Sequence, residues 1–424
     1  MIKAIGVDFG TTNSVVALLR ADGSVVTQRF ATESGLLDVF RTILCFWTDD
    51  AHGRQTLLHA AGPAAIEAYL DDPLDTRLIM SMKTYLAQKS FTETRIFGRI
   101  FTLERLIGCF LRALLKDCGP VPCLIAGRPV HFAGEFPDDA LGASRLTAAF
   151  CEAGMADVAL ALEPEAAGMR FASGLTEPTT VLIGDFGGGT SDFSILRFEP
   201  GAEGGVTPLG HAGIGIAGDV FDYRIIERAI SPLLGKDDTY RVMGKNMPVP
   251  VEFYSGFARW HLLSLMRAPR TMRAIEEVAR TAQHPERLRH LASIIEDGQG
   301  YELYRAVSTA KAALSGADST VLRFRHKGFA LEKSITRSDF EAWIAGDLVR
   351  LGTTVDQALA SAGLAYGDID KVFLTGGSAF VPAVRRLFAD RFGASKLAGG
   401  GEFVSVAEGL ALIGGMRGNA SRSN

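Results

Sequence analysis

Two short segments set a carboxylate, glycines and hydroxyls in the same order. The first is Asp8-Phe9-Gly10-Thr11-Thr12-Asn13-Ser14. The second is Asp185-Phe186-Gly187-Gly188-Gly189-Thr190-Ser191-Asp192. In each, an apolar stretch leads into the aspartate and another resumes after the turn. Glycines at 10, 187, 188 and 189 allow the backbone to approach an anion and to offer it N–H groups. Thr11, Thr12 and Thr190 add hydroxyl donors. This chemistry is the gripping of phosphate. Asp8 and Asp185 stand where a strand ends and its turn begins. Two carboxylates facing each other across a cleft suit Mg²⁺, an ion that keeps most of its waters and takes few direct protein ligands. The other common phosphate grip, GxxxxGK[ST], is absent, and no GxGxxG opens a helix after a strand.

The elements that must carry these turns follow from the apolar pattern. Strands are predicted at 4–7 and 15–19, with an Asp-Gly turn at 21–24 leading to a third at 25–30. Residues 57–118 read as mostly helical, most clearly at 103–115, where Leu103, Leu106, Ile107, Phe110, Leu111 and Leu114 keep helical spacing. Strands at 123–126 and 158–162 bracket a helix at 140–153, and another helix begins inside EPEAAGMRF. The pattern restarts at Thr179, with strands at 180–184 and 193–198 around the second turn. The two aspartates lie 177 residues apart, and a repeat of that length implies two similar lobes. Residues 223–312 read as helical. Then come a strand pair with a basic turn at 321–333, a helix at 338–362, a strand at 371–374 ending in TGGS, and a helix at 381–392. An apolar segment at 405–414 precedes a polar tail.

Five motifs, DFGTTNS, EPEAAG, DFGGGTSDFSIL, AGDVFD and LTGGSAFVP, occur in this order in the chain. With SMKTYLA, AKAALS and SITRSDFE, they resemble the nucleotide-binding domain of the 70-kilodalton heat-shock chaperones (DnaK type). The resemblance extends over roughly residues 3–415 and is nearest to the short, bacterial YegD-type members. It implies an α/β chain of the actin-like, ribonuclease-H-like ATPase fold, with two duplicated lobes around a nucleotide cleft. Lobe I is read as 1–176 with a helical subdomain near 40–118. Lobe II is read as 177–418 with a helical subdomain near 223–300, and 419–424 is a disordered tail.

The resemblance also assigns roles. Gly10, Thr11, Thr12 and Asn13 match the first phosphate loop, and Gly187, Gly188, Gly189 and Thr190 the second. Lys83 matches a lysine that stabilises charge on the transferred phosphoryl group. Glu163 matches a glutamate that helps hold the water shell of the metal, and Asp192 a carboxylate near the attacking water. Asp8 and Asp185 hold Mg²⁺, mainly through water. Gly218, Asp219, Lys311 and Ser315 match the adenosine side, and Gly376, Gly377 and Ser378 the loop beneath the nucleotide. The departures fall at the base end. Ser308 and Ala312 replace a glutamate and an arginine that flank the lysine, and Phe380 replaces an arginine that stacks on adenine. The implied activity is Mg²⁺-dependent binding of ATP or ADP with slow hydrolysis, a conformational switch without the peptide-binding domain. A small-molecule kinase and a non-hydrolysing or filament-forming relative are the alternatives.

Bulk properties agree with a globular ATP-binding chain. It has 424 residues, 47% hydrophobic and 22% charged, with a net charge of −4. That length favours more than one domain, and that charge argues against nucleic-acid binding. No signal peptide or spanning segment is evident, and the five cysteines form no CxxC pair. A cytoplasmic monomer with a protein partner or co-chaperone is expected, and no membrane contact. Seven arginines between 259 and 289 read as a solvated helical face, and Phe253, Tyr254, Phe257 and Trp260 as core.

Overall fold

The computed structural model describes every residue except 33–34, 50–54, 73–74, 120–122, 133–136, 173–174, 201–205, 260–265, 399–405 and 421–424. It falls into two compact units. The first comprises Met1–Gly215, Leu351–Ala379 and Arg385–Asn424, and the second Ile216–Arg350 and Phe380–Val384.

Two sheets of the first unit repeat one plan. In the first sheet, strands Ile2–Phe9 and Asn13–Arg20 pair antiparallel around the first glycine turn, with Asp8 opposite Val15. Strand Leu124–Arg128 runs parallel beside Ile2–Phe9, and Val158–Leu162 lies beyond it. In the second sheet, Thr179–Phe186 and Ser191–Phe198 pair antiparallel around the second turn, with Asp185 opposite Asp192. Strand Lys371–Thr375 runs parallel beside Thr179–Phe186, and Val206–Ile214 closes the other edge. The hairpin-plus-parallel-neighbour arrangement is the three-dimensional form of the sequence repeat. Packing keeps the first unit continuous to Gly215, past the lobe boundary of 176/177 expected from the sequence. The reason is that helix Glu163–Ala172 shares a core with the second sheet: Ala167 packs with Val181, Ile183, Leu196, Phe198 and Phe373.

The first sheet is backed by two helices, Leu103–Leu114 and Asp139–Glu152. The helix Leu103–Leu114 buries the apolar stripe that its spacing predicts. Phe110 sits at its centre, with ring centroids 5.7 Å from Phe9 and 5.6 Å from Phe40. The side chain of Thr102 caps its N-terminus by accepting from the Arg105 amide. The closing helix Val406–Ala420 covers the other side of the sheet. It is keyed in by glycines: a Cβ at Gly6 would stand 2.0 Å from the Ala407 carbonyl oxygen, and one at Gly409 1.8 Å from that of Ala166. This helix continues past Gly414, where the apolar run was read to stop.

The segment 40–118 is not the helical subdomain expected. It holds a three-stranded antiparallel sheet, Thr56–Ala61 beside Ile43–Asp49 beside Thr76–Met80, and a hairpin, Glu93–Ile96 with Arg99–Thr102. Its apolar runs are short and mutually paired, and a short buried run reads alike for strand and helix. Within 223–300 the helices Pro269–Thr281 and Pro285–Glu296 are preceded by a hairpin, Thr239–Val242 with Lys245–Pro248, which turns at Met243-Gly244. Helix Pro269–Thr281 buries Met272, Ile275, Val278 and Ala279 and leaves Arg270, Arg273 and Arg280 exposed beside Glu276 and Glu277. These three arginines of the stretch lie on a solvated face, whereas Arg287 pairs with the buried Asp238 at 2.9 Å. Phe253, Tyr254 and Phe257 are buried, and Trp260 lies outside the described residues. All five cysteines are free thiols.

Candidate functional site

The site begins with where the strands end. Asp8 is next to last in its strand and Asp185 next to last in the equivalent strand. Gly10 follows at once, and it has to be glycine because a Cβ there would meet the Asn13 carbonyl oxygen at 2.1 Å. The first loop is braced from the side. The Thr42 amide donates to the Thr12 carbonyl, Ser14 and Thr42 share a buried 2.9 Å hydroxyl contact, and Arg41 donates to Asn13 Oδ1 at 3.2 Å. The second loop is closed by a 2.9 Å bond from the Gly187 amide to the Thr190 carbonyl, which leaves Gly188 and Gly189 at the tip. Thr375 Oγ1 donates to Asp185 Oδ1 at 2.7 Å and fixes that carboxylate. Gly376, Gly377 and the buried Ser378 follow directly from Thr375.

Lys83 stands on a short turn, Met82–Tyr85, remote in sequence from both hairpins. Arg145 anchors the segment just after it, donating to the carbonyls of Gln88 at 3.0 Å and Phe91 at 2.8 Å while pairing with Glu104. Lys83 Nζ reaches Glu163 Oε1 at 2.8 Å, with side-chain exposures of only 12% and 10%. Glu163 is the first residue of its helix, where the dipole favours a carboxylate.

Four carboxylates and one ammonium share this region, and their proton affinities report it. Burial, then the charges of Glu163 and Asp185, push Asp8 up to about 7 against the pull of Lys83. Burial, then Asp185 and Glu163, push Asp192 up to about 7. Glu163 is raised by burial although Lys83 opposes it. Lys83 keeps its proton more tightly than usual: burial acts against the charge, but Glu163, Asp8 and Asp185 outweigh it. The cluster is therefore short of positive charge, which is the condition that a divalent cation relieves. Among the described residues no three His, Cys, Asp or Glu side chains are grouped as a direct metal cage. Asp8 and Asp185 with the water shell of the ion are a fitting donor set for Mg²⁺.

The residues read as the adenosine side gather in the second unit. Gly218 and Asp219 open helix Gly218–Ile225. Lys311 Nζ donates to the Gly218 carbonyl at 3.0 Å and to Asp222 Oδ2 at 2.8 Å. Tyr304 donates to Asp219 Oδ1 at 3.1 Å and to Asp222 Oδ2 at 2.9 Å. Ser315 lies one helical turn beyond Lys311, and Ala312 is exposed. Phe380, 61% exposed, presents a bare ring. Asp222 and Tyr304 were not foreseen. AGDVFD contains Asp222, but nothing in the sequence ties it to Lys311, 89 residues away.

Comparison with known proteins bears on these assignments. The family model "Hsp70 protein" matches residues 296–423. The chaperone protein DnaK of Thermus thermophilus is 26% identical over 413 residues, covering 93% of this chain and 57% of that protein. The chaperone protein HscA homolog of Bordetella petrii is 28% identical over 420 residues, 93% of this chain and 55% of that protein. DnaK of Deinococcus radiodurans is 25% identical, with 93% and 56% covered. The chain is similar to these Hsp70-family chaperones along most of its length. It has their actin-like α/β ATPase fold, and the two hairpin sheets described above are its duplicated core. The chain spans just over half the length of the curated relatives it matches. Among its described residues no helix is long and apolar enough to cross a membrane.

Proposed function

We propose that the protein is a Mg²⁺-dependent ATP-binding protein that hydrolyses ATP slowly and uses the nucleotide as a conformational switch read by a protein partner. The observation that carries this reading is the charge cluster of Asp8, Glu163, Asp185, Asp192 and Lys83, drawn from both glycine hairpins and two further segments distant in sequence. Nothing in a pair of ordinary tight turns calls for such convergence. Mg²⁺ when bound supplies neutralising charge to phosphate oxygens.

The residues of the chain do the rest. The Gly10–Asn13 and Gly187–Thr190 turns bind phosphate through amides and hydroxyls. Lys83, held by Glu163, stabilises charge on the transferred phosphoryl group, since such transfer needs positioning and electrostatics more than covalent help. Asp192 orients the attacking water and receives its proton. As the water oxygen bonds to phosphorus, the bond to the β-phosphate oxygen breaks with its electron pair on ADP. Gly218, Asp219, Lys311 and Ser315 hold the adenosine, with Phe380 as a stacking surface in place of a charged group. Lobes at 1–176 and 177–418, a monomeric state and a cytoplasmic location belong to the same proposal.

Calorimetric titration with ATP and ADP, with and without Mg²⁺, tests binding, and steady-state phosphate release tests hydrolysis. Absence of heat at millimolar Mg²⁺-ATP rejects the reading. Binding without release favours a non-hydrolysing module, and a phosphorylated metabolite in place of free phosphate favours a kinase.

A further inference from the structure

The second sheet carries a side chain that the phosphate chemistry above does not use. His211 lies in strand Val206–Ile214, opposite Ser194 in register, and two residues on Gly213 stands opposite Asp192. Asp192 is in turn opposite Asp185, and Asp185 opposite Thr375. Because side chains alternate along a strand, His211, Ser194, Asp192, Asp185 and Thr375 share one face. The His211 side chain is 10% exposed.

Its two nitrogens have different neighbours. Nδ1 lies 3.2 Å from Ser194 Oγ, and Nε2 lies 3.8 Å from Asp192 Oδ1. The backbone of His211 is tied down through its amide, which donates to Ser361 Oγ at 3.0 Å. The ring of His131 packs edge-on against it at 4.9 Å between centroids, and His131 is itself bonded to Asp139. Gly213 opens the approach between the two groups. A Cβ there would stand 2.6 Å from Asp192 Oδ1 and 3.7 Å from His211 Nε2. A cavity of about 20 Å³ adjoins them, lined by Glu163, Asp185, Asp192, Ser194, His211 and Thr375 among others. That is room for one water molecule.

Burial, then the neighbouring His131, pulls His211 down to about 4, so the ring is neutral near pH 7 and carries one proton. With the Ser194 hydroxyl assigned as the donor to Nδ1, the ring proton falls on Nε2, the nitrogen facing Asp192.

We propose that His211 is a positioning residue for ATP hydrolysis: anchored by Ser194, it directs its Nε2–H at Asp192 and sets the carboxylate orientation that holds the attacking water. The gap of 3.8 Å closes into the space that Gly213 leaves vacant. This role rests on the ATPase reading above, because it acts through Asp192.

The experiment compares two amides at one position. His211→Gln can keep an N–H near the place of Nε2. His211→Asn reaches Ser194 but falls short of Asp192. Phosphate release gives kcat and KM for Mg²⁺-ATP, and melting with and without Mg²⁺-ATP verifies folding and binding. The expected result is a kcat lowered by about tenfold or more in His211→Asn with KM little changed, and most of that loss recovered in His211→Gln. Gly213→Ala, which crowds Asp192 from the other side, should also lower kcat at nearly constant KM. Equal kcat in the wild type and His211→Asn would overturn the proposal. So would equal losses in the Asn and Gln variants accompanied by a common fall in melting temperature. A wild-type chain that binds Mg²⁺-ATP but releases no phosphate would instead refute the hydrolysis reading, and the role of His211 with it.

Discussion

Replacing Lys83 by methionine keeps an unbranched buried side chain and removes only its charge. Glu163 then loses its 2.8 Å partner at a site where both side chains are about nine-tenths buried. A carboxylate left alone there takes up a proton rather than remain charged. Holding at pH 7 a proton that an ordinary glutamate binds with a pKa of 4.5 costs about 3 kcal/mol, at about 1.36 kcal/mol per pH unit. That figure limits the loss and lies at the lower end of the range for breaking a buried ion pair. The folded-state affinity of Glu163 for protons rises above its unfolded value. The variant is therefore least handicapped below about pH 4.5, and its deficit grows as the pH rises toward 7. Urea unfolding of both proteins between pH 4.5 and 7.5 measures the gap. It should be about 3 kcal/mol at pH 7, narrow toward zero at the acid end, and shrink when millimolar Mg²⁺ supplies the missing charge. Phosphate release should fall by on the order of 10² while nucleotide binding persists. A gap that does not change with pH, or one below about 1 kcal/mol, would mean that Lys83 is not the counter-charge of this cluster.

Other outcomes follow from the same geometry. Mg²⁺-ATP at about a hundred times its Kd should stabilise the wild type by about 2.7 kcal/mol, read as a rise in Tm; Asp8→Asn and Asp185→Asn should lose the Mg²⁺-dependent part of that rise. Gly10→Ala, whose methyl would meet the Asn13 carbonyl at 2.1 Å, should abolish ATP binding in calorimetry. Lys311→Ala strands the buried Asp222 carboxylate and should destabilise the second unit by about 3–5 kcal/mol, seen as lost amide protection in Gly218–Ile225 and Gly300–Gly316. Asp297 is held down at about 2, against its own burial, by bonds from Lys327, His326 and Ser293. Asp297→Asn should therefore destabilise by roughly 1 kcal/mol above pH 4, and the difference should vanish in urea melts below pH 2.

The sequence made the hairpins and their flanking strands plain because a strand ending in aspartate, followed by glycine and threonine, has few other uses. Both sheets grow from those elements. Strand Val206–Ile214 was invisible: its residues, VTPLGHAGI, neither alternate nor avoid proline and glycine, and it exists because Ser191–Phe198 offers an edge to pair with. The strands Ile43–Asp49, Thr56–Ala61 and Thr76–Met80 were masked for a different reason, since runs such as ILCFW suit a buried helix as well. Of the candidate site, the two glycine turns proposed to grip phosphate were legible from local spacing alone. Lys83 and Glu163 needed the family resemblance, and their 2.8 Å contact joins segments 80 residues apart. His211 gave no signal, because a single histidine in a glycine-rich stretch acquires meaning only from what lies across the sheet.

The closing helix places a demand on biosynthesis. Gly6 rests against the Ala407 carbonyl and Ala4 against Gly414, so the strand that ends in Asp8 is covered by residues made some four hundred positions later. At about 5–20 residues per second, a ribosome needs on the order of a minute to deliver that cover. During this interval the first hairpin can form its ladder with Asn13–Arg20, but one face of its sheet stays open to solvent. Long-range closure of this kind slows folding and leaves apolar surface of the nascent chain exposed beside the first glycine turn. The strand that ends in Asp8 thus waits for some four hundred further residues before its open face can be buried.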